Sequence, residues 1–241
     1  MNRFIGTASV LLALAAPAPL FAQAALRVAP LTLDIVTPAQ ASSLTLDNRG
    51  TDEISLQVRI FEWSQIDGED QLTPAADVVA SPPAVRIPAG GSQTIRVART
   101  GGSAVEGERS YRLWIDELPQ AAPPAQSGGR VDVRMRYDLP LFFRDRGAEP
   151  QLSWRAYRSG DALVVEAENR GSGRARIQGL RIEGAGGELS FGAGLNGYVL
   201  PGAAQRWTAA AGSSFPPGGE VTLVAAVGDR ETRQAITLAG R

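Results

Sequence analysis

The chain has 241 residues, 44% hydrophobic and 20% charged, with a formal net charge of -1, enough for one large domain or two of roughly 100 to 120 residues with their own cores. It contains no His, no Cys and no Lys, so all 24 basic residues are Arg. Without these types, Cys/His zinc sites, Ser-His-Asp triads, thiolate nucleophiles, P-loops and Schiff-base chemistry are excluded, and the near-neutral balance argues against a nucleic-acid partner.

Residues 1–24 read as an address signal. Met1-Asn2-Arg3 gives a short positive start, and Phe4 to Leu20 is an apolar stretch broken by Pro17 and Pro19. Ala22-Gln23-Ala24 then fits a small-x-small cleavage site, placing the mature start at Ala25. Such a segment implies export, and an exported chain without cysteine must rely on its cores instead of disulfides. No later run reaches the roughly 20 apolar residues of a membrane helix, so no membrane insertion of the mature chain is expected.

From Leu26 the apolar period is two. Leu31, Leu33 and Ile35 alternate with Thr32 and Asp34, and Leu44 and Leu46 alternate with Thr45 and Asp47. Such alternation marks strands with one buried face. Asn48-Arg49-Gly50 signals a turn, after which Ile54, Leu56, Val58 and Ile60 alternate with polar residues until Asp67-Gly68 marks a tight reversal. Further strands are predicted at Ala84 to Ile87, Ser92 to Arg99 and Ser110 to Glu117. The spacing of strands and turns predicts an immunoglobulin-like sandwich, and no segment offers an amphipathic helix.

Gln120 to Gly129, with Pro123-Pro124 and Gly128-Gly129, reads as a mobile loop before a long run from Arg130 to Phe143. In that run Val131, Val133, Met135 and Tyr137 share one side of a strand, and Arg130, Asp132, Arg134, Arg136 and Asp138 the other. Arg144 to Pro150 has the charge and Gly/Pro content of a hinge. A smaller second β domain follows, with strands predicted at Leu152 to Tyr157, Leu163 to Asn169, Ala175 to Ile182, Gln205 to Ala209, Val221 to Val227 and Thr232 to Leu238. The expected division is a signal peptide at 1–24, a first domain at 25–146 and a second at 147–241. Glycine is dense around Gly184 to Gly187 and Gly192 to Gly194, which weakens strand signals there.

Trp63, Trp114, Trp154 and Trp207 lie at strand positions and suit packing better than a sugar platform. Asp67, Glu69 and Asp70 lack the spacing and closing Glu of a calcium loop, and Asp116 and Glu117 alternate across one strand, so neither a metal site nor a catalytic pair is expected.

Several segments in order resemble the periplasmic pilus chaperones of the chaperone-usher pathway. They are Val28-Ala29-Pro30, Leu44 to Asn48, Ser81-Pro82-Pro83 and Ile87 to Val97, then Glu108 to Pro119 and Leu139 to Arg144. The stretch from Phe61 to Pro74 is similar to the archaic branch of that family. The resemblance implies an all-β fold of two immunoglobulin-like sandwiches set in an L, with no catalytic residue, cofactor or metal. It also implies pilus subunits and an outer-membrane usher as partners. A strand of the chaperone would complete the subunit's sandwich, the known mode of strand addition in this system. On this chain the lent residues would be Val131, Val133, Met135 and Tyr137.

The family also holds the subunit's terminal carboxylate in the interdomain cleft with two basic residues. Their positions fall here on Thr32 and Pro140, so other arginines are expected to serve: Arg96 first, then Arg27, Arg134 and Arg136. Glu108 and Arg144 match two members of the family's interdomain ionic cluster. Two other readings remain: a structural or adhesive envelope protein built from the same sandwiches, and an enzyme working with carboxylates and arginines alone.

Overall fold

The computed structural model describes residues 26–101, 105–119, 134–211, 215 and 218–239. The expected signal peptide, the loop Gln120 to Gly129, Val131 and Val133 lie outside the described residues. Within the described residues the chain is all-β, with no helix. The first ten strands are β1 (Leu26–Ala29), β2 (Leu33–Val36), β3 (Ala41–Asn48), β4 (Ile54–Ile66), β5 (Glu69–Pro74), β6 (Val78–Ser81), β7 (Ala84–Ile87), β8 (Ser92–Arg99), β9 (Glu108–Glu117) and β10 (Arg136–Arg144). Eight follow: β11 (Leu152–Ser159), β12 (Ala162–Asn169), β13 (Ala175–Gly184), β14 (Gly187–Ser190), β15 (Leu195–Val199), β16 (Ala204–Ala210), β17 (Gly219–Val227) and β18 (Arg230–Ala239).

The first domain is a sandwich. One sheet runs β1-β3-β8-β6 and the other β2-β10-β9-β4-β5, with β7 also on β4. Period-two patterning decides the faces: Leu44 and Leu46, Ile95 and Val97, Leu56 and Val58, and Leu113 and Ile115 all point into one core. On β10 the inward residues are Leu139, Leu141 and Phe143, with Tyr137 partly buried against the same core. Each of the buried aliphatic and aromatic side chains contributes about 1.5–3 kcal/mol.

β4 outruns its neighbour β9 and continues as a hairpin with β5, turning at Asp67 and Gly68 with φ of 55° and 82°. Both values lie in the left-handed region, as the tight reversal read from Asp67-Gly68 requires. The hairpin tip reaches the second domain, where Gly68 sits beside the Ala204 carbonyl.

In the second domain the order is β14-β13-β17-β18-β11-β12-β16, with β15 added to β13. β18 and β11 join through a short parallel contact, Ala156 with Leu238 and Tyr157 with Ala239. Leu163, Val165, Ile177, Leu180, Ile182, Val199 and Leu223 are fully buried in its core. β14 and β15 fall in the glycine-dense stretch where the sequence offered no strand signal, and β5 and β6 were likewise unmarked.

One device recurs in both domains. Asn-Arg-Gly closes β3 at Asn48 to Gly50 and β12 at Asn169 to Gly171. Each asparagine is buried, accepts the N–H two residues on, and donates its amide to carbonyls of a neighbouring turn: Ile87 and Pro88 for Asn48, Gly173 and Val199 for Asn169. A buried side-chain amide is retained only when its hydrogen bonds are met; with the Asp52 carbonyl as a further acceptor for Asn48 and the Gln151 N–H as a further donor to Asn169, each of these makes four.

Candidate functional site

β10 is sheltered unequally along its length. β9 pairs with all of it, from Arg136 to Arg144, whereas β2 pairs only with Leu141 to Arg144. Arg136 to Pro140 therefore have a strand partner on one side only, among the described residues. Pro140 is tolerated in this stretch because a missing N–H costs little where a strand edge is open. Beyond the strand, the Met135 carbonyl still accepts the Glu117 N–H at 3.1 Å, while the Met135 side chain is 49% exposed.

Tyr137 shares the parity of Met135 but not its fate. Its ring packs on the first domain's core and its hydroxyl donates to the Leu26 carbonyl at 2.6 Å. Burial pushes its pKa up, helped by the Glu117 charge. Tyr137, expected among the subunit-binding residues, is thus engaged within its own sandwich, while Met135 on the same parity is exposed.

The outward face of the β4-β9-β10 sheet is charged and aromatic at one end and apolar at the other. At the end near Met135, Asp116 accepts from Arg136 on one oxygen and from Arg59 on the other, at 2.7 Å to Nη2. Both guanidiniums lie against Trp114, with their carbons 4.0 and 5.4 Å from the ring centroid. Burial works against the Asp116 carboxylate, but the hydrogen bonds from Arg136 and Arg59 outweigh it and hold its pKa below the usual range.

At the other end the second domain docks. Trp63 and Phe142 pack with Tyr198, Leu200 and Ala203 in a small core that spans the two domains. The Gln65 amide donates to the Tyr198 carbonyl and accepts the Leu200 N–H, both at 3.0 Å, as a paired strand would. Arg174 crosses from β13's lead-in to lie 3.6 Å above the Phe142 ring. It donates to Glu108 at 2.6 Å and to Asp34 at 3.1 Å, and Arg144 completes the group by donating to Asp34 at 2.9 Å. Burial raises the pKa of Glu108 even though Arg174 pulls it down.

This cluster corrects the expected pair of Glu108 with Arg144. The two are cross-strand neighbours, but among the described residues their ion pairs run to Arg174 and to Asp34 respectively. The second domain contributes the cation Arg174, and the first domain supplies both carboxylates.

Between the domains lies a cleft of about 370 Å³, whose walls include Trp63, Asp70, Arg112, Tyr198 and Trp207. Arg112 is the cross-strand partner of Pro140 and points to the same outward face. Its guanidinium lies 3.7 Å from the Trp63 ring centroid and pairs with Asp70 at 3.4 Å and Asp138 at 3.7 Å. The Trp63 Nε1–H is buried and has no hydrogen-bond partner among the described residues.

The arginines expected at this cleft stand elsewhere. Arg96 lies on β8 between the buried Ile95 and Val97, which forces its side chain onto the solvent face of the opposite sheet. Arg27 is on that sheet too, paired with Asp47 at 3.6 Å. Arg136 is engaged with Asp116 and Trp114, and Arg134 is exposed just before Met135. The sequence signal for Arg112 was present but indirect: it sits in the Glu108 to Pro119 segment on the polar parity of β9.

Residues 25–148 match the family model described as pili and flagellar-assembly chaperone, PapD N-terminal domain. Among solved structures, the chain is similar to one in the CsuC–CsuE chaperone–tip adhesion subunit pre-assembly complex from archaic chaperone-usher Csu pili of Acinetobacter baumannii. The identity is 24% and the TM-score 0.67, over 90% of this chain and 100% of that one. It is also similar to the YadV chaperone, at 16% identity and a TM-score of 0.62 over 89% and 100%. A chain from the Salmonella enterica SafA pilin in complex with the SafB chaperone gives 18% and 0.61 over 88% and 96%. These likenesses are of fold. No curated protein is a significant match in sequence.

Proposed function

The chain belongs to the pili and flagellar-assembly chaperone family, and on that footing we propose that it holds pilus subunits in the periplasm by donor-strand complementation and delivers them to an outer-membrane usher. Residues 1–24 serve as a cleaved signal peptide, and 25–146 and 147–241 are the two domains. The role is binding, without catalysis or cofactor.

The observation that carries this reading is the open edge of β10 from Arg136 to Pro140, continued outward by the exposed Met135. An unpaired edge with alternating apolar side chains is suited to add a strand to an incomplete sandwich. Val131, Val133 and Met135 are the lent side chains. Burying three of them would contribute about 5–9 kcal/mol before ordering costs. The subunit's terminal carboxylate is held by Arg112, which lies in the cleft beside the position of Pro140. A guanidinium can grip a carboxylate through two parallel N–H bonds.

The test is to mix the chain with a pilus subunit lacking its last strand and measure a soluble one-to-one complex. Val133→Arg should fold as the parent does and abolish the complex; a folded Val133→Arg chain that still binds overturns strand donation through this face.

A further inference from the structure

We propose that Arg136 and Tyr137 form a two-sided clamp, with Asp116 and the Leu26 carbonyl as its jaws, that fixes where and in what direction the donated strand leaves the first domain. The inference rests on the strand-donation reading and assigns these residues a positioning role within it.

The two residues are consecutive, so their side chains leave the backbone on opposite faces. Arg136 is tied on the outward face: its Nε donates to Asp116 Oδ1, and its guanidinium covers Trp114. Asp116 is itself braced, because its other oxygen accepts from Arg59 Nε and Nη2 at 3.1 and 2.7 Å and its side chain is only 13% exposed. Trp114 is braced in turn by Phe61, whose ring centroid is 4.5 Å away. The outward tie thus spans β10, β9 and β4. Tyr137 is tied on the inward face, where its ring meets the core and its hydroxyl crosses to β1 of the opposite sheet. One face holds the strand within its own sheet, and the other pins that sheet to its partner.

The location gives the clamp its meaning. Among the described residues, Arg136 to Pro140 lack a strand partner on one edge, and next to them the Met135 carbonyl accepts the Glu117 N–H beyond the end of the strand. Exposed backbone hydrogen bonds with few apolar contacts are where local opening begins. Tyr137 is half-buried against the first domain's core and Met135, two residues before it, is exposed, so the clamp sits where the strand passes from one use to the other. Holding that point extended removes an ordering cost that binding would otherwise meet.

Amide hydrogen exchange on the whole chain tests this without any subunit. In Arg136→Gln, and in Asp116→Asn as a second variant, the Glu117 amide should exchange about ten-fold faster while the Leu113 and Ile115 amides keep parental rates. Arg136→Lys, which keeps the charge pair and the contact with Trp114, should restore slow exchange. Tyr137→Phe, which keeps the ring and deletes the bond to Leu26, should accelerate Glu117 through the other face. Uniform acceleration along β9 would mean general destabilisation, and no acceleration would mean no clamp; either overturns the proposal. Val133→Arg separates this from the underlying reading. Subunit capture by that variant refutes donation and leaves the exchange result standing, whereas loss of capture with unchanged exchange in Arg136→Gln refutes the clamp alone.

Discussion

Pro140 and Arg112 stand opposite one another across β10 and β9. The resemblance places a basic anchor at the proline's position, and the structure puts a guanidinium one strand over, on the same outward face and at the wall of the interdomain cleft. Asp70 and Asp138 flank it at 3.4 and 3.7 Å, so the cation is held in the cleft without being closed off by a short bidentate pair.

Arg112→Gln should therefore weaken the subunit complex by about 1.5–3 kcal/mol, ten- to more than a hundred-fold in affinity. Arg96→Gln, on the far sheet, should leave it unchanged. Titration calorimetry with a subunit that the parent binds reads both, and a larger loss from Arg96→Gln would move the anchor away from this cleft.

Met135 and Tyr137 share a face but should respond differently. Met135→Arg places a charge on a side chain already 49% exposed, so thermal unfolding should stay within about 0.5 kcal/mol of the parent while subunit binding falls sharply. Tyr137→Ala removes a ring packed on the core and its bond to Leu26, and should cost about 3 kcal/mol of stability or more. Paired unfolding and binding curves decide this; if Met135→Arg binds normally, the offered face begins further toward the N-terminus.

Much of the fold was legible because one-sided burial writes itself as alternation. The apolar residues of Ile54 to Ile60 and Ser92 to Arg99 mark their inward faces directly. The short strands β5, β6, β14 and β15 were hidden for the converse reason: β5 and β14 are mostly exposed, and β6 and β15 bury only Val78, and Tyr198 with Val199, too few to write an alternation. Arg112, Arg174 and Asp34 could not be placed from sequence, because ordinary polar positions on three separate strands or turns become a site only once the domains meet. Arg96 misled for a related reason. Its strand was read correctly, but which sheet that strand joins is a matter of topology, and β8 belongs to the sheet facing away from the cleft.

Gly171 and Gly147 offer a controlled contrast at the interdomain connection. A Cβ on Gly171 would lie 2.3 Å from the Glu149 carbonyl oxygen and 2.4 Å from the Gln151 nitrogen, both backbone atoms that cannot swing aside. On Gly147 the nearest atom would be Asp145 Oδ1 at 3.5 Å, an ordinary contact. Gly171→Ala should destabilise by about 1–3 kcal/mol or more, and Gly147→Ala should be close to neutral. Thermal denaturation measures the difference; equal midpoints would mean that the turn after Asn169 moves off the connecting segment at little cost.

The Arg174–Glu108 contact makes a prediction whose sign depends on pH. The Glu108 side chain is 1% exposed and burial raises its pKa above the ordinary 4.5, with Arg174 opposing the rise. The folded chain therefore binds this proton more tightly than the unfolded chain. Its contribution to stability is full below the ordinary carboxyl value and is lost as pH rises through the raised one. Arg174→Ala removes the attraction that limits the rise and leaves a buried carboxylate without its cation, which should cost about 3–5 kcal/mol at neutral pH. Acidification should recover much of that loss, since a protonated Glu108 no longer needs the guanidinium. Glu108→Gln in the Arg174→Ala background should recover it at every pH, because the amide carries no charge to bury. Unfolding midpoints across the acid-to-neutral range give the answer. A loss in Arg174→Ala that is the same at pH values on both sides of the carboxyl range would show that Arg174 acts by its packing on Phe142, and not by holding the charge of Glu108.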